Sequence, residues 1–157
     1  MLVSEFMVPA GAAITCSPTD TIESVLNQLL ENSISAVVVV DLSRIPVGIV
    51  TKTDLVQAFK DKIPIDSYVD AVMTTSIKTV KGVASRDEAA GIFDENRIHH
   101  VIVVGEELEF AGIISSLDIA RETSLDGKAW PWNRQAAWPW KRHDGGVTRT
   151  SDGLAPS

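Results

Sequence analysis

The chain has 157 residues and 45% apolar content, which suits one globular domain or two small domains packed together. Its net charge of −7 is uneven: residues 1–122 carry 9 Lys and Arg against 18 Asp and Glu (−9), and residues 123–157 carry 5 against 3 (+2). The acidic charge of residues 1–122 argues against broad nucleic-acid binding. The lone Cys16 excludes an internal disulfide or a cysteine metal cluster. No apolar run reaches the roughly 20 residues of a membrane-spanning helix. The start MLVSEFMVPAG lacks the pattern of a signal peptide, so we expect a cytoplasmic protein.

A first predicted unit occupies residues 1–60. Asp20 and Glu23 have the spacing of a helix capping box. The apolar residues that follow have helical spacing on one face: Ile22, Val25, Leu26, Leu29 and Leu30. The predicted elements, in chain order, are a strand (14–16), this helix, a strand buried on both faces (36–40), a turn (41–46), a second strand (47–50) and a helix (53–59).

A connector at 61–72, with a short helix near 66–72, leads to a second predicted unit at 73–122. Ser85 and Glu88 again have capping-box spacing. The predicted elements are a strand (77–80), a helix with Ala89, Ile92 and Phe93 on its apolar face, two paired strands (100–104 and 110–114) and a helix (117–122).

The two units are copies of one sequence, 64 residues apart and without a gap. Identical residues recur at Thr15/Thr79, Glu31/Glu95, Asn32/Asn96, Ile34/Ile98, Val37/Val101, Val39/Val103, Val40/Val104, Gly48/Gly112, Ile49/Ile113 and Asp54/Asp118. Two copies indicate a duplicated unit rather than a solenoid, which needs at least three. We therefore predict an α/β fold of two β-α-β-β-α units, packed sheet against sheet with pseudo-two-fold symmetry, and an irregular tail at 123–157.

Each copy ends in a polar signature, Thr51-x-x-Asp54 or Ser115-x-x-Asp118, between a strand and a helix. This spacing is that of a helix cap. A helix start also attracts phosphate through its free N–H groups, and a carboxylate one turn later can accept hydrogen bonds from a ribose diol. Gly48 or Gly112 precedes each signature, where a missing side chain admits another group.

Residues 1–122 resemble a tandem CBS-domain pair, the Bateman module. The resemblance rests on ordered motifs that occur in both copies: GIVTKTDL and GIISSLDI, ITCSPTDTI and IKTVKGVAS, ENRIHHVIVV, and the openings FMVP and VMTT. It implies a regulatory module that binds AMP, ADP, ATP or S-adenosylmethionine between its units, and a homodimer. The alternative is a ligand-independent interaction scaffold whose signatures are only helix caps.

The resemblance also implies roles for particular residues. Asp54 and Asp118 would hold ribose hydroxyls, and Thr51 and Ser115 would contact phosphate. The segments that would meet the adenine or the sugar are Ile14-Thr15 and Ile77-Lys78-Thr79. His99 and His100 lie where the family often places a phosphate-contacting side chain. The first copy has Ser35 and Ala36 there, so the sequence favours Ser115 and Asp118 as the better phosphate site.

No nucleophile with a base, carboxylate pair or metal-ligand set is apparent, so we expect neither an enzyme nor a metal site. All four Trp residues lie in the tail, in the repeats AWPWNR and AWPWKR. These repeats fit several roles: folding back on the chain, anchoring a protein partner, disorder, or contact with nucleic acid or membrane.

Overall fold

The computed structural model describes residues 1–125, 140–143 and 146–149. The chain divides into two compact units, residues 1–119 and 120–157, and the first of these contains both signatures. No helix in the described part of the chain is long and apolar enough to cross a membrane.

The first copy of the repeat forms a three-stranded sheet with two helices. Its elements follow a 3₁₀ helix (Val3–Glu5) and a short strand β1 (Val8–Pro9); they are β2 (Thr15–Cys16), α1 (Ile22–Glu31), β3 (Ala36–Val40), β4 (Pro46–Thr51) and α2 (Lys52–Lys60). The sheet order is β2-β3-β4, with β2 parallel to β3 and β3 antiparallel to β4.

The second copy repeats this arrangement after a 3₁₀ turn at Val69–Ala71. Its elements are β5 (Thr79–Lys81), α3 (Arg86–Asn96), β6 (His100–Val104), β7 (Phe110–Ser115) and α4 (Ser116–Leu125). The sheet order is β1-β7-β6-β5, so a strand from the start of the chain completes the second sheet. The predicted α/β fold of two β-α-β-β-α units is confirmed.

The apolar run of β3 is buried on both faces because alternate side chains serve different layers. Val37 and Val39 pack with the helical residues Val25 and Leu29. Their neighbours Val38 and Val40 join a separate layer with residues of the second sheet: Ile102, Val104 and Phe110. The two sheets therefore pack against each other, as the sequence predicts, and helices cover their outer faces.

The segments that precede the two units cross to the opposite copy. Val3 lies in the core of the second copy, and its N–H donates to the Ala84 carbonyl at 2.9 Å. Thr74 pairs with Ile49 of the first copy, with N···O distances of 2.8 and 2.9 Å. The predicted unit at 1–60 thus includes an N-terminal segment that packs with the second copy. The crossing ties the two copies together.

The crossing segments also explain the two signature glycines. A Cβ on Gly112 would lie 2.6 Å from the Val8 carbonyl oxygen, and one on Gly48 would lie 2.7 Å from the Met73 sulfur. The group that approaches each glycine is therefore the chain's own backbone or methionine. These glycines are required for packing of the chain, and they do not argue for a ligand.

We expect Gly112→Ala to lower the free energy of unfolding by about 1–3 kcal/mol, because the new methyl group would displace the β1 backbone. Gly91→Ala in α3 is the matched control, since its Cβ would meet nothing within 4 Å. The control should raise stability by about 0.5–1 kcal/mol through helix propensity. Urea unfolding of both variants measures the difference, and effects of the same sign would contradict this account.

Two details of α1 differ from the sequence prediction. Thr21, rather than Asp20, caps the helix by accepting from Ser24 N–H at 3.1 Å, while Asp20 accepts from Ser17 N–H at 2.9 Å. Leu26 and Leu30 are exposed, because the buried side of α1 is the narrower stripe of Ile22, Val25 and Leu29. The apolar face of α1 is thus wider than its contact with the sheet.

The described part of the tail is not irregular. Strands β8 (Trp140–His143) and β9 (Gly146–Arg149) pair antiparallel, with Trp140 opposite Arg149 and His143 opposite Gly146. The two residues between the strands are Asp-Gly, a pair typical of tight hairpins. Trp130, Trp132 and Trp138 lie outside the described residues.

Candidate functional site

The first signature forms a closed capping box where β4 meets α2. The Asp54 N–H donates to Thr51 Oγ1 at 3.2 Å, and the Thr51 N–H donates to Asp54 Oδ2 at 2.9 Å. The Thr74 hydroxyl donates to the other carboxylate oxygen, Asp54 Oδ1, at 3.1 Å. The Asp54 carboxylate is half-buried and held from two sides. Asp54 Oδ2 also accepts from the Thr51 hydroxyl at 3.1 Å, so Oδ1 is the oxygen that retains lone-pair capacity for a further donor.

The second signature has the same backbone geometry where β7 meets α4. The Asp118 N–H donates to Ser115 Oγ at 3.1 Å, and the Ser115 N–H donates to Asp118 Oδ2 at 2.8 Å. Ile49 and Ile113 are equivalent residues of the two copies. Thr74 pairs with Ile49 and Val8 pairs with Ile113, so Val8 is the structural counterpart of Thr74. Valine has no hydroxyl, so the second carboxylate lacks the lateral contact that orients Asp54.

A cavity of about 610 Å³ lies between the two copies, within the range of small-molecule sites. The first copy contributes the polar junction Thr51–Asp54, together with Ser35 and Ile49. The second copy contributes three segments, 76–78, 97–100 and 115–117, and the single residue Ile102, and the preceding crossing segment adds Thr74. Lining from both copies means that an occupant would contact the two units together.

The structure brings seven of the eleven predicted site residues to this cavity: Thr51, Asp54, Ile77, Lys78, His99, His100 and Ser115. The other four lie elsewhere. Ile14 packs against the first core, Thr79 belongs to β5, and Thr15 lines a separate pocket of about 380 Å³. Asp118 does not line the cavity, although its charge acts on His100.

The sequence prediction did not include several lining residues, among them Ser35, Thr74, Ser76 and Ile98. Ser35 immediately precedes β3 and Ile98 lies two residues before β6, so the strand prediction contained a signal for them. Thr74 carried none, because its place beside Asp54 depends on the crossing of the segment before the second copy. Long-range placement of this kind is invisible in local sequence patterns.

His99 and His100 lie on the second-copy side of the cavity. The His100 Nε2 lies 2.9 Å from Ser35 Oγ, a hydrogen bond that links the two copies. The His99 Nδ1 lies 3.4 Å from Ser116 Oγ. Burial lowers the pKa of His100 below its ordinary value of 6.5, and the His99 charge acts in the same direction against the opposing effect of Asp118. His100 is therefore neutral at pH 7.

This lowered pKa of His100 predicts a loss of stability in mild acid. The unfolded chain takes up a proton at the ordinary His pKa, while the folded chain resists it, so the free energy of unfolding falls as the pH drops below about 6.5. Urea unfolding at pH 7.5 and 5.5 should show a smaller acid loss for His100→Gln than for the wild type. An equal loss in both proteins would contradict this assignment.

Cys16 is a buried free thiol next to Asp20. Burial raises the pKa of Cys16 to about 12, and the Asp20 charge acts in the same direction. The thiol is therefore protonated and a poor nucleophile at neutral pH. In the part of the chain that the structure describes, no group of three or more His, Cys, Asp or Glu residues is placed to hold a metal ion.

The cavity adds the first signature to the basic side chains that the sequence-based ranking grouped with the second signature, and Ser115 lines the same cavity. That ranking put the cations of the second copy beside Ser115 and Asp118. In the structure, Lys78, Arg97 and both histidines line the cavity that also contains Thr51 and Asp54. The cause is the crossed connectivity, which pairs Thr74 with Ile49 of β4 before the second copy begins. Asp54 thus shares its cavity with Lys78 and Arg97.

Two α/β repeats whose strand-to-helix junctions flank a shared cavity define a tandem module rather than two independent domains. The model of the CBS domain family matches residues 3–61 and 69–124. The chain therefore belongs to the CBS-domain family, as a tandem pair.

Curated relatives are similar over the same region. An uncharacterized 17.7 kDa protein of Acidianus ambivalens is 31% identical over 104 residues, which cover 66% of this chain and 63% of that protein. Inosine-5'-monophosphate dehydrogenase of Methanocaldococcus jannaschii is 35% identical over 108 residues, or 69% of this chain. The match spans only 21% of that enzyme. The chain thus spans less than two thirds of either relative.

Solved structures share the fold. The CBS domain pair of protein MJ0100, in complex with 5'-methylthioadenosine and S-adenosyl-L-methionine, superposes with a TM-score of 0.72 at 25% identity and covers 82% of this chain and 98% of that one. The CBS domain protein PAE2072 of Pyrobaculum aerophilum, complexed with AMP, gives a TM-score of 0.70 at 23% identity, covering 80% and 99%. Both neighbours are bound to adenosine compounds.

Proposed function

We propose that this chain is a regulatory module that binds an adenosine compound in the cavity between its two copies. The observation that carries the proposal is the oriented Asp54 carboxylate, which lines a cavity of about 610 Å³ together with basic side chains. A carboxylate that can still accept hydrogen bonds suits a ribose diol, and cations at the same cavity suit phosphate. The adenosine compounds bound to similar CBS pairs support this choice.

In this proposal, the cavity residues have separate roles. Asp54 accepts from the ribose hydroxyls, and Thr51 lies beside the phosphate at the N-terminus of α2. The backbone at Ile77 and Lys78 flanks the adenine or the sugar. His99, His100 and Ser115 face the phosphate from the second copy. The four predicted residues outside the cavity stay candidates for a second site: Ile14, Thr15, Thr79 and Asp118.

Regulation would follow from the shared lining of the cavity. A ligand that contacts both copies stabilises the relative position of the copies that allows all of these contacts. Binding therefore shifts the population towards that conformation. A change in how the copies pack would change the surface that contacts a partner protein. That the Trp-containing tail binds a protein partner stays a prediction. The proposal involves no catalysis, since the match to a dehydrogenase covers about one fifth of that enzyme. It also includes the cytoplasmic location that we expect from the sequence.

A second candidate function is a ligand-independent scaffold. The closed capping boxes favour it, because Thr51 with Asp54 and Ser115 with Asp118 each satisfy backbone N–H groups in the absence of any ligand. In that case the signatures only stabilise α2 and α4. The two functions differ in whether adenosine compounds stabilise the protein.

A thermal-shift panel with AMP, ADP, ATP and S-adenosylmethionine tests the proposal. A ligand that binds only the folded chain adds about 2.7 kcal/mol at a concentration one hundred times its Kd. Mass spectrometry of small molecules released from the purified protein gives an independent answer. An unmoved melting temperature with every compound, and no released adenosine compound, would support the scaffold instead.

We also propose that two copies associate through the exposed faces of α1 and α2. Leu30, Val56 and Phe59 are 67%, 69% and 87% exposed, which is unusual for three large apolar side chains on neighbouring helices. Phe59→Asp should convert a dimer to a monomer in light scattering, while Leu42→Asp on an exposed loop should not. A wild type that is monomeric at tens of micromolar would refute the association.

A further inference from the structure

The basic residues of the cavity occupy positions at which the two copies of the repeat differ. Five basic side chains line the cavity: Lys52, Lys78, Arg97, His99 and His100. Their equivalents, 64 residues away in the other copy, are Ser116, Ile14, Ser33, Ser35 and Ala36. None of these equivalents is basic. The duplication has therefore produced one cationic cavity, and the equivalent positions carry no matching set of charges.

The charge around the cavity is opposite to that of the protein body. Of the 9 Lys and Arg residues in 1–122, three line the cavity, whereas Asp54 is the only one of the 18 Asp and Glu residues that does. Within residues 1–125, ion pairs join Lys81 with Glu106 and Arg86 with Asp87, and none of them involves a cation of the cavity. Lys52, Lys78 and Arg97 thus form no ion pair with a carboxylate within residues 1–125.

The Asp54 carboxylate is also better oriented than its counterpart. Thr74 donates to Asp54 Oδ1, and the place of Thr74 at the other junction is taken by Val8. A side chain that is already fixed in position loses less freedom on binding. An oriented acceptor and a set of cations therefore occur together at one junction only.

We infer that each chain binds one phosphorylated adenosine compound in this cavity, and that Lys78 and Arg97 select it over uncharged or sulfonium analogues. This inference rests on the proposed function and specifies the charge of the ligand and its number per chain. A sulfonium compound would add positive charge beside these cations, which form no ion pair among the described residues, and a nucleoside would gain nothing from them. Phosphate oxygens accept from both side chains and neutralise the cavity.

Titration calorimetry of the full chain with AMP, adenosine and S-adenosylmethionine tests the inference. We expect one AMP per chain, and an affinity for AMP at least about tenfold higher than for the other two compounds. The double variant Lys78→Ile, Arg97→Ser introduces the residues of the first copy. It should lose this preference while its affinity for adenosine is unchanged.

Arg97→Ser is compatible with the local backbone, because Arg97 and its equivalent Ser33 have φ angles of 51° and 52°. The matched control is Lys60→Ile, Arg44→Ser, which removes the same charge outside the cavity and again places Ser at a positive φ, 65° at residue 44. The control should keep the preference for AMP.

The outcomes separate the inference from the proposed function. Equal affinities for the three compounds, two AMP molecules per chain, or equal losses in both double variants would overturn the inference and leave the adenosine site in place. Absence of binding by all three compounds would overturn the proposed function and the inference with it.

Discussion

Asp54→Ala is expected to weaken AMP binding about 10- to 100-fold, because it removes a charged acceptor of two ribose hydroxyls. Asp118→Ala is expected to change the affinity by less than about threefold, because Asp118 does not line the cavity and lies on the other junction. Titration calorimetry with AMP measures both variants.

Asp118→Ala is a matched control for the fold as well. Each aspartate accepts the N–H of a helix N-cap residue, at 2.9 Å for Asp54 and 2.8 Å for Asp118. Each substitution should therefore lower the free energy of unfolding by about 0.5–2 kcal/mol, with the larger loss for Asp54, which also accepts from the Thr74 hydroxyl. If both substitutions lower the free energy of unfolding but only Asp54→Ala weakens AMP binding, Asp54 is the ligand contact. Equal losses of affinity would refute this ranking of the two junctions.

Phe110→Ala is expected to lower the free energy of unfolding by about 3–5 kcal/mol. The ring is 5% exposed and lies in the layer between the two sheets, with Val38, Val40, Ile102 and Val104. Its removal leaves a cavity where the two copies meet, and the cavity costs more than the lost apolar transfer alone. A loss of this size is a large fraction of the 5–15 kcal/mol typical of a domain.

The control for Phe110→Ala is Leu42→Ala, at a fully exposed loop position. Urea unfolding should place the control within about 0.5 kcal/mol of the wild type. A loss below about 1 kcal/mol for Phe110→Ala would mean that the sheets do not depend on this layer, and the shared cavity would lose its physical basis.

The repeat made most of the fold predictable. A gapless offset of 64 residues transfers every element of one copy to the other, and the runs 36–40 and 101–104 indicate strands covered on both faces. The exchange of β1 and Thr74 between the copies was not predictable, since two-residue pairings depend on long-range closure of the chain. The same limit explains why the packing role of Gly112 was not predictable, because its neighbour Val8 is distant in sequence.

The types of residue at the candidate site were predictable from the sequence. Which of these residues lie together in one cavity was less predictable. The duplicated spacing of Thr51 with Asp54 identified the junction, and the resemblance identified Lys78 and His100. The prediction grouped cations with the signature of their own copy, whereas the cavity combines the first signature with residues of the second copy. Leu30 shows a related limit, because helical periodicity gives the apolar face of a helix but not how much of it a neighbour covers.

A crystal structure of the chain grown with AMP tests the central claim most directly. The account predicts one nucleotide between the repeats, with its ribose hydroxyls on the Asp54 carboxylate and its phosphate near Lys78 and Arg97. A complex in which that space contains only water, while AMP at saturating concentration lies elsewhere or is absent, would contradict it.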